Sequence, residues 1–476
     1  MSAGVVTEPH GIPVPSPARA ALPRLPRPVP LWWRDVSGAL AWGLVLFVVG
    51  LWVAGGGLTA FGTTGDAMTT LGRLAGLLSS VLILIQVLLM ARIPMVEQAW
   101  GQDELARVHR VVGFTSFSLM LAHIGLVIVG YAAGTSLGVV GTFVDQVLHS
   151  PGMLLALAGT VALVMVVATS IRKARARLRY ESWHLLHLYA YLGAGLALPH
   201  QLWTGQDFRS SAVATVFWWG LYAATLAAVL VFRLALPAVR SARHRLVVAD
   251  VVAESPTVTS VVITGRALER LPARAGQFFQ WRFLDGPGSS RAKPFSLSAA
   301  PDGRSLRLTG EAVGPGSGRL RSLRPGTKVL LEGPYGRLHA GTKVRQRSVL
   351  IGAGIGITPL RALLEELPAG PDETVLIYRV GSTEDIVLAD ELVELARSKG
   401  ARVVAVVGHR APDRDSWLPA QLGHLGDAEA LLRIVPDVAQ RDVFVCGNPA
   451  WMRSVMGAAR AAGVPEQALH SERFSY

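Results

Sequence analysis

The stretch from Arg107 to Ala133, RVHRVVGFTSFSLMLAHIGLVIVGYAA, is apolar and long enough to cross a bilayer, yet it carries two histidines, His109 and His123. Imidazoles at such depth need partners. They lie 14 residues apart, which at ~1.5 Å and ~100° per residue is ~21 Å along a helix and ~40° short of four full turns, so both face one side. A second stretch, Glu181 to Trp203 (ESWHLLHLYAYLGAGLALPHQLW), supplies His187 and His200, 13 residues apart. A single histidine of this kind is accounted for by a polar neighbour inside a bundle. Two helices with two imidazoles each predict two bis-histidine iron sites, one above the other.

Apolar runs at about 36–53, 71–90, 108–131, 152–170, 182–203 and 212–236 predict six membrane spans. Residues 1–35 are rich in Pro, Ala and Arg and read as a disordered cytoplasmic tail, and the late start and length of the first run argue against a secretory signal. The net charge of +13 divides into +7 for residues 1–242 (16 Lys and Arg against 9 Asp and Glu) and +6 for 243–476 (30 against 24). In the first half the excess sits in short loops, where topology explains it, so no nucleic-acid partner is expected. Segments 54–70 and 131–150 contain no Lys or Arg and 201–211 only Arg209, whereas 171–180 carries Arg172, Lys173, Arg175, Arg177 and Arg179. The positive-inside rule then places both termini in the cytoplasm and the three poorly charged loops outside, as in a plasma-membrane protein. His109 and His187 fall near the inner face, His123 and His200 near the outer. Cys446 is the only cysteine, which excludes intrachain disulfides, Cys-rich zinc sites and cysteine-ligated iron–sulfur clusters. No C-x-x-C-H occurs, so any haem is non-covalent.

Thirteen residues leave His200 about 140° from the face of His187 on an ideal helix, so a distortion is expected around Gly193, Gly195 and Pro199. His184 gives a comparably poor angle to His200, and periodicity does not choose between it and His187. His149 and His244 occupy loop or linker positions and are expected to be solvated. Arg73, at the outer end of the second span, and Arg110, beside His109, can each pair with a haem propionate or snorkel to headgroups. For Arg73 the propionate is the preferred reading; for Arg110 both stand.

From Arg243 the texture changes to short strands and turns, RLVVADVVAE, TVTSVVITG, GQFFQWRFL, SLRLTGEAV and KVLLEGPYG, which predict an antiparallel β-barrel. Within it lies KPFSLS, with Lys293, Pro294, Phe295, Ser296 and Ser298. An aromatic such as Phe295 can cover a flavin ring while the Ser296 hydroxyl reaches its reactive nitrogen. GPGSGRL, with Gly316, Ser317 and Gly318, can bind a pyrophosphate through backbone donors. SVLIGAGIGITPLRALLEEL then reads as strand, glycine turn and helix. Gly352, Gly354 and Gly356 admit a dinucleotide's phosphates, Thr358 can cap the helix and Pro359 suits its first turn. The third glycine of the dinucleotide fingerprint is absent. TVLIYRV, ARVVAVVG and DVFVCGN complete a parallel α/β layer, at whose strand ends nucleotides bind. Arg379 or Arg410 can meet a 2′-phosphate, favouring NADPH over NADH, or be an ordinary surface arginine. Cys446 and Gly447 in FVCGNP suggest a nicotinamide site, with a small buried cysteine as the plainer reading.

Over about residues 36–476 the chain resembles the NADPH oxidase and ferric reductase superfamily. The resemblance rests on the histidines at spacings 14 and 13, YESWHLLH, KPFSLS, EGPYG, GAGIGITP, FVCGNP and the C-terminal ERFSY. It implies a membrane all-α six-helix bundle (36–240) carrying two haems b. An antiparallel β-barrel FAD domain (243–342) and an α/β parallel-sheet NAD(P)-binding domain (345–476) follow. It assigns the inner haem to His109 and His187, settling the choice against His184, and the outer haem to His123 and His200. Phe295 and Ser296 would contact the isoalloxazine, Gly316 to Gly318 its pyrophosphate, and Phe474, before Tyr476, would stack on the flavin where nicotinamide enters. Lys293 stands where relatives often have Arg or His, and Asn448 separates Cys446-Gly447 from Pro449.

The implied activity is transmembrane: NADPH reduces FAD on the cytoplasmic side, and electrons pass singly through two haems to an external acceptor. Ferric chelate is preferred over oxygen because no regulatory domain precedes the haem helices; a superoxide-producing oxidase is the first alternative. An alternative of another class is a flavin reductase held at the membrane by an inert anchor, serving a cytoplasmic partner.

Overall fold

The computed structural model describes residues 29, 30, 32–175, 177, 178, 180–286 and 291–472. Most of the expected tail lies outside these residues, but its end is helical: α1 (Trp32–Ala54) begins inside it, with Trp32 and Trp33 stacked at 4.8 Å. There follow α2 (Thr64–Leu89), α3 (Pro94–Trp100), α4 (Gln102–Ala132), α5 (Gly138–His149), α6 (Met153–Ser170), α7 (Arg172–Arg175), α8 (Tyr180–Trp203), α9 (Gln206–Arg209) and α10 (Ala212–Val229). A π-helical turn, Leu230–Ala235, joins α10 to α11 (Leu236–His244). Among the described residues five helices are long and apolar enough to cross a membrane: α1, α2, α4, α6 and the continuous α10–α11. The expected sixth, α8, has the length, 24 residues, but its histidines and Gln201 reduce its hydropathy. The segment 131–150, read as plain loop, contains α5. His244, expected to be solvated, is buried at the end of α11, its Nδ1 2.9 Å from the Arg266 carbonyl.

Small residues set how closely these helices pack. α4 lies along α2 and α8 along α6, whereas α4 and α8 barely approach one another directly. Where α6 meets α8, a Cβ on Gly159 would stand 2.7 Å from the Gly193 carbonyl oxygen. Where α2 meets α4, a Cβ on Gly72 would stand 2.7 Å from the Val127 side chain. Close backbone approach of this kind replaces the hydrophobic driving force that lipid removes.

The second half forms two sheets. β1 (Leu246–Ala253), β2 (Val258–Thr264), β3 (Phe278–Phe283), β4 (Lys293–Ser296), β5 (Ser305–Glu311) and β6 (Lys328–Tyr335) pair antiparallel in the order β4-β3-β6-β1-β2-β5. A bridge between Leu297 and Leu308 brings the end of β4 against β5. Phe279, Trp281, Leu297, Leu308 and Leu331 fill the interior. After α12 (Pro315–Gly318) come β7 (Ser348–Ala353), β8 (Thr374–Val380), β9 (Arg402–Val407), β10 (Asp442–Cys446) and β11 (Leu469–Ser471), all parallel in the order β11-β10-β7-β8-β9. They alternate with α13 (Ile357–Glu366), α14 (Ala389–Lys399), α15 (Asp427–Ile434) and α16 (Pro449–Ala461). The continuous apolar runs of β7, β8 and β10 follow from helices on both faces. The sheets are cross-linked by Arg307, which forks Glu391 at 2.7 Å, and by Glu366, which accepts the Ala275 N–H at 2.8 Å.

Gly159→Leu should overpack the α6–α8 contact and destabilise the helical half by ~1–3 kcal/mol, read as a lower melting temperature in detergent. Gly195→Ala, which meets nothing within 4 Å, is the control and should melt at or above the unaltered protein. Equal melting of both variants would remove the close-packing argument.

Candidate functional site

α4 and α8 present their histidines to each other in two pairs. The rings of His109 and His187 have centroids 6.0 Å apart, those of His123 and His200 6.4 Å. Two imidazoles sharing one iron through Nε2 at ~2 Å, with ~1.2 Å from each nitrogen to its ring centre, would put the centroids ~6.4 Å apart. Each Nδ1 already has a neighbour: the Gln86 carbonyl at 3.1 Å for His109, the Gly72 carbonyl at 2.9 Å for His123, Ser170 Oγ at 3.3 Å for His187 and Thr204 Oγ1 at 2.7 Å for His200. Thr204 donates its own proton to the His200 carbonyl at 2.7 Å, so its oxygen accepts from Nδ1. All four imidazoles thus have a partner fixing Nδ1 and leaving Nε2 for a metal, the outer-shell arrangement of ligating histidines. The residues therefore fit bis-histidine iron. Gly76 is part of that fit, since a Cβ there would stand 2.6 Å from His123 Nδ1.

His187, not His184, meets His109, and it also stacks on Trp183 at 5.0 Å. α8 runs on through Pro199, and both His187 and His200 meet their partners on α4. The proline lacks an amide donor one residue before His200, which loosens that turn. The arginine expectations change. Arg73 forks Asp207 on α9, with Nε 2.8 Å from Oδ2. Its guanidinium is thereby committed to a carboxylate instead of the expected propionate. Arg110 is exposed. Asp207 escaped the sequence reading because it pairs across 134 positions, as did Gln201, which donates to Ser80 Oγ at 3.1 Å and accepts from Tyr222.

In the antiparallel sheet, the Ser296 hydroxyl is buried and among the described residues has no hydrogen-bond partner, which leaves it free to donate to a ligand. Phe295 turns into the interior, so the expectation that its ring covers a flavin is corrected to a packing role. Lys293 and Pro294 are half-buried on the edge strand β4. Ser298 is fully buried, accepting from Arg307 Nε at 3.1 Å and Thr309 Oγ1 at 2.7 Å, and is enclosed away from any ligand. In α12 the Ser317 hydroxyl accepts from the Val313 N–H at 3.1 Å, and Gly316 and Gly318 share the same turn.

At the end of β7, Gly352 leads into a turn, Gly354–Gly356, with Gly354 at φ +51°, and a Cβ on Gly356 would collide with the Cys446 carbonyl. Thr358 does not cap α13: its hydroxyl donates to the Ile355 carbonyl at 3.0 Å, and Pro359 sits in the first turn. Arg379 is corrected as well, because its guanidinium is buried and donates to the Trp417, Val380 and Val406 carbonyls. Arg410 is exposed and pairs with Asp415 at 2.7 Å. Cys446 is buried beside Gly447 and burial pushes its thiol up to about 12, so it is a neutral packing group rather than a reactive one. Phe474 and Tyr476 lie outside the described residues.

A buried seam joins the helical half to the strand bearing Tyr335. The Arg92 guanidinium lies 4.2 Å over the Tyr335 ring and donates to Glu97 and Gln102, each at 2.8 Å. The Tyr335 hydroxyl donates to Glu332 at 2.9 Å, and Arg233, in the π turn, donates to the same oxygen at 2.8 Å. Tyr335 pairs in register with Phe278, and Phe278 with Ser296. At the same seam Glu472 accepts the Arg337 N–H at 2.9 Å; burial, reinforced by Asp103 and Glu97, holds its carboxyl up at about 8.

A family model described as the ferric reductase like transmembrane component matches residues 75–198, and one described as the oxidoreductase NAD-binding domain matches residues 350–456. The ferredoxin reductase component of the 3-ketosteroid-9-alpha-monooxygenase of Mycolicibacterium smegmatis is 30% identical over 237 residues, 48% of this chain and 64% of that protein. The chain thus spans just under two thirds of that relative. Ferredoxin–NADP reductase B of Sorangium cellulosum is 29% identical over 195 residues, 40% of this chain and 80% of that protein. Among solved structures, the flavohem-like FAD/NAD-binding domain of nitric oxide dioxygenase from Vibrio cholerae shares 27% identity, covering 49% of this chain and 99% of that one with a TM-score of 0.39. The matches place a ferric-reductase-like transmembrane component before an oxidoreductase NAD-binding domain in one chain.

Glu332→Ala should strand Arg233 and Tyr335 and destabilise the seam by on the order of 3 kcal/mol, lowering the melting temperature; an unchanged value would mean that the seam contributes nothing. Glu472 generates a pH dependence of the opposite sense to that of an ordinary paired carboxylate. A carboxyl held above its unfolded value keeps a proton that the unfolded chain releases, so stability falls as pH rises from about 4.5 to about 8. Glu472→Gln should flatten that decline in a melting-temperature series, and an unaltered slope would exclude Glu472 as its source.

Proposed function

Taking the chain as a ferric reductase or NADPH oxidase-type fusion, the arrangement its two family matches show, we propose that it carries electrons across a membrane through two haems b. The electrons start from cytoplasmic NADPH bound beside FAD. The observation that carries this reading is the double histidine pairing, with centroid separations of 6.0 and 6.4 Å. In this reading α8 is a sixth span, despite its lower hydropathy, and both termini are cytoplasmic. In the same reading the antiparallel sheet is a barrel, which the bridge from Leu297 to Leu308 supports, and the domains are 36–240, 243–342 and 345–476.

FAD supplies hydride acceptance and single-electron release, and the haems supply one-electron relay. His109 and His187 would hold the inner haem and His123 and His200 the outer, their rings fixed by the backbone and hydroxyl partners on Nδ1. Ser296 would donate its unpartnered hydroxyl to the flavin, and the Gly354–Gly356 turn would admit the nucleotide's phosphates. Arg410, by leaving Asp415, would meet the 2′-phosphate that distinguishes NADPH. The Arg92–Tyr335 and Arg233–Glu332 contacts hold β6, two strands from Ser296, against the end of the helices assigned to the cytoplasm, which would keep a flavin within reach of His109 and His187. The ferric-reductase-like match favours a ferric chelate as external acceptor.

The test is a reduced-haem spectrum together with superoxide formed per NADPH consumed, on protein in sealed vesicles with the nucleotide module outward. Reduced haem, little superoxide and Fe(II) from chelate enclosed on the opposite side are expected; about two superoxides per NADPH would identify an oxidase instead. His200→Ala should abolish reduction of the enclosed acceptor while leaving flavin bleaching by NADPH intact. Flavin absorption without haem would sink the transmembrane reading in favour of an anchored flavin reductase.

A further inference from the structure

Where the last turn of α8 meets α9 and the start of α10, a cleft of about 390 Å³ opens on the face assigned to the outside. Trp203, Phe208, Arg209, Thr215, Trp218 and Trp219 line it. Its position is tied to both outer histidines. Trp203 lies three residues beyond His200, ~4.5 Å further along the helix, and Thr204, next in the chain, holds His200 Nδ1. On the other side Asp207 is forked by Arg73, the residue after Gly72, whose carbonyl holds His123 Nδ1. A cleft braced in this way stays in register with the outer histidine pair.

Its chemistry is specific. Arg209 is the only Lys or Arg in segments 54–70, 131–150 and 201–211. Among the described residues it makes no ion pair, only a long hydrogen bond, 3.4 Å, to the Trp203 carbonyl. Trp203 and Trp219 flank it at 56% and 55% exposed, while Trp218 stacks on Phe208 at 4.2 Å beneath them, its indole N–H without a partner among the described residues. Tryptophans at a membrane boundary are ordinary. Here they converge on one cleft with the only Lys or Arg of the three outer segments, one turn from His200. A cation among aromatic faces selects an anion with a flat ring, and the volume suits one aromatic ligand arm rather than a macromolecule.

We propose that this cleft docks the external electron acceptor, and that the acceptor is a ferric ion held by anionic aromatic ligands of the catecholate or salicylate type. The inference rests on the transmembrane reading above and adds its substrate class. Fe(III) gains one electron to become Fe(II), no covalent bond is made to the protein, and each NADPH oxidised serves two ferric ions.

The experiment uses full-length holoprotein in nanodiscs, where both faces are accessible, with the rate persisting in His200→Ala subtracted as direct flavin reduction. Three acceptors are compared: ferric sulfosalicylate, ferricyanide and hexaammineruthenium(III). Arg209→Glu should raise the KM about tenfold for both anions and not for the ruthenium cation; Trp219→Leu should raise it for ferric sulfosalicylate and spare ferricyanide. Redox-inert gallium(III) sulfosalicylate should bind about tenfold more weakly to Arg209→Glu, a readout independent of turnover. Haem reduction by NADPH without acceptor is the folding control. Unchanged KM values and gallium affinity in both variants, with haem reduction intact, would leave the tryptophans as a membrane belt only and overturn the docking site. Failure of NADPH to reduce haem in the unaltered protein would overturn the transmembrane reading, and this site with it.

Discussion

The backbone carbonyls of Gln86 and Gly72, one near each end of α2, hold the two imidazoles of α4, and the rest of the helical half is arranged around that constraint. A carbonyl inside a helix is normally engaged by the amide four residues on, so an imidazole reaches it only if nothing stands between the helices. Gly76 provides the opening beside His123. With α4 fixed on α2, and α8 fixed on α6 through Gly159 and Gly193, the two histidine-bearing helices are held by outer partners instead of by each other. The proposed haems would need a gap between the facing imidazoles. Direct packing of α4 on α8 would have closed it.

Polar contacts buried in the helical half follow the same logic. A guanidinium near the membrane boundary is expensive unless paired, and Arg73 is paired with a carboxylate on a one-turn helix that would otherwise be free to move. The pair ties the end of α8 to the α2 turn holding His123. At the other end, the π turn offsets the last helix just where Arg233 must reach Glu332. A π turn inserts an extra residue into the helical register and re-aims the side chains around it. Both devices use an ionic contact to fix position, and neither requires the pair to add net stability.

Much of this was legible in the sequence because it is periodic. Spacings of 14 and 13 within apolar runs pointed to two levels of histidines, and short alternating strands followed by strand–glycine–helix units pointed to the two sheets. What stayed hidden was pairing at long range. Nothing local to Asp207 points to Arg73, and nothing local to Arg233 points to Glu332. Arg379 looked available because it ends a strand, but the loop carrying Trp417 folds over it and its guanidinium is taken by carbonyls. Thr358 looked like a helix cap, but its hydroxyl bonds back into the preceding turn.

On the proposed electron path, the seam gives a reason for the two halves to be tightly docked. Electron transfer between separate groups falls steeply with distance, so a flavin domain tumbling on a linker would spend most of its time out of reach. Arg92 comes from the loop after α2 and Glu97 from α3, Arg233 from the π turn before the last helix, and Glu332 and Tyr335 from β6, the neighbour of the strand that pairs with Ser296. Contacts from two separate membrane elements onto one strand fix its rotation as well as its distance. A soluble reductase, which must release its partner after each transfer, has no use for such a clamp. If donor and relay are joined in one chain, as proposed, rigidity carries no penalty in turnover.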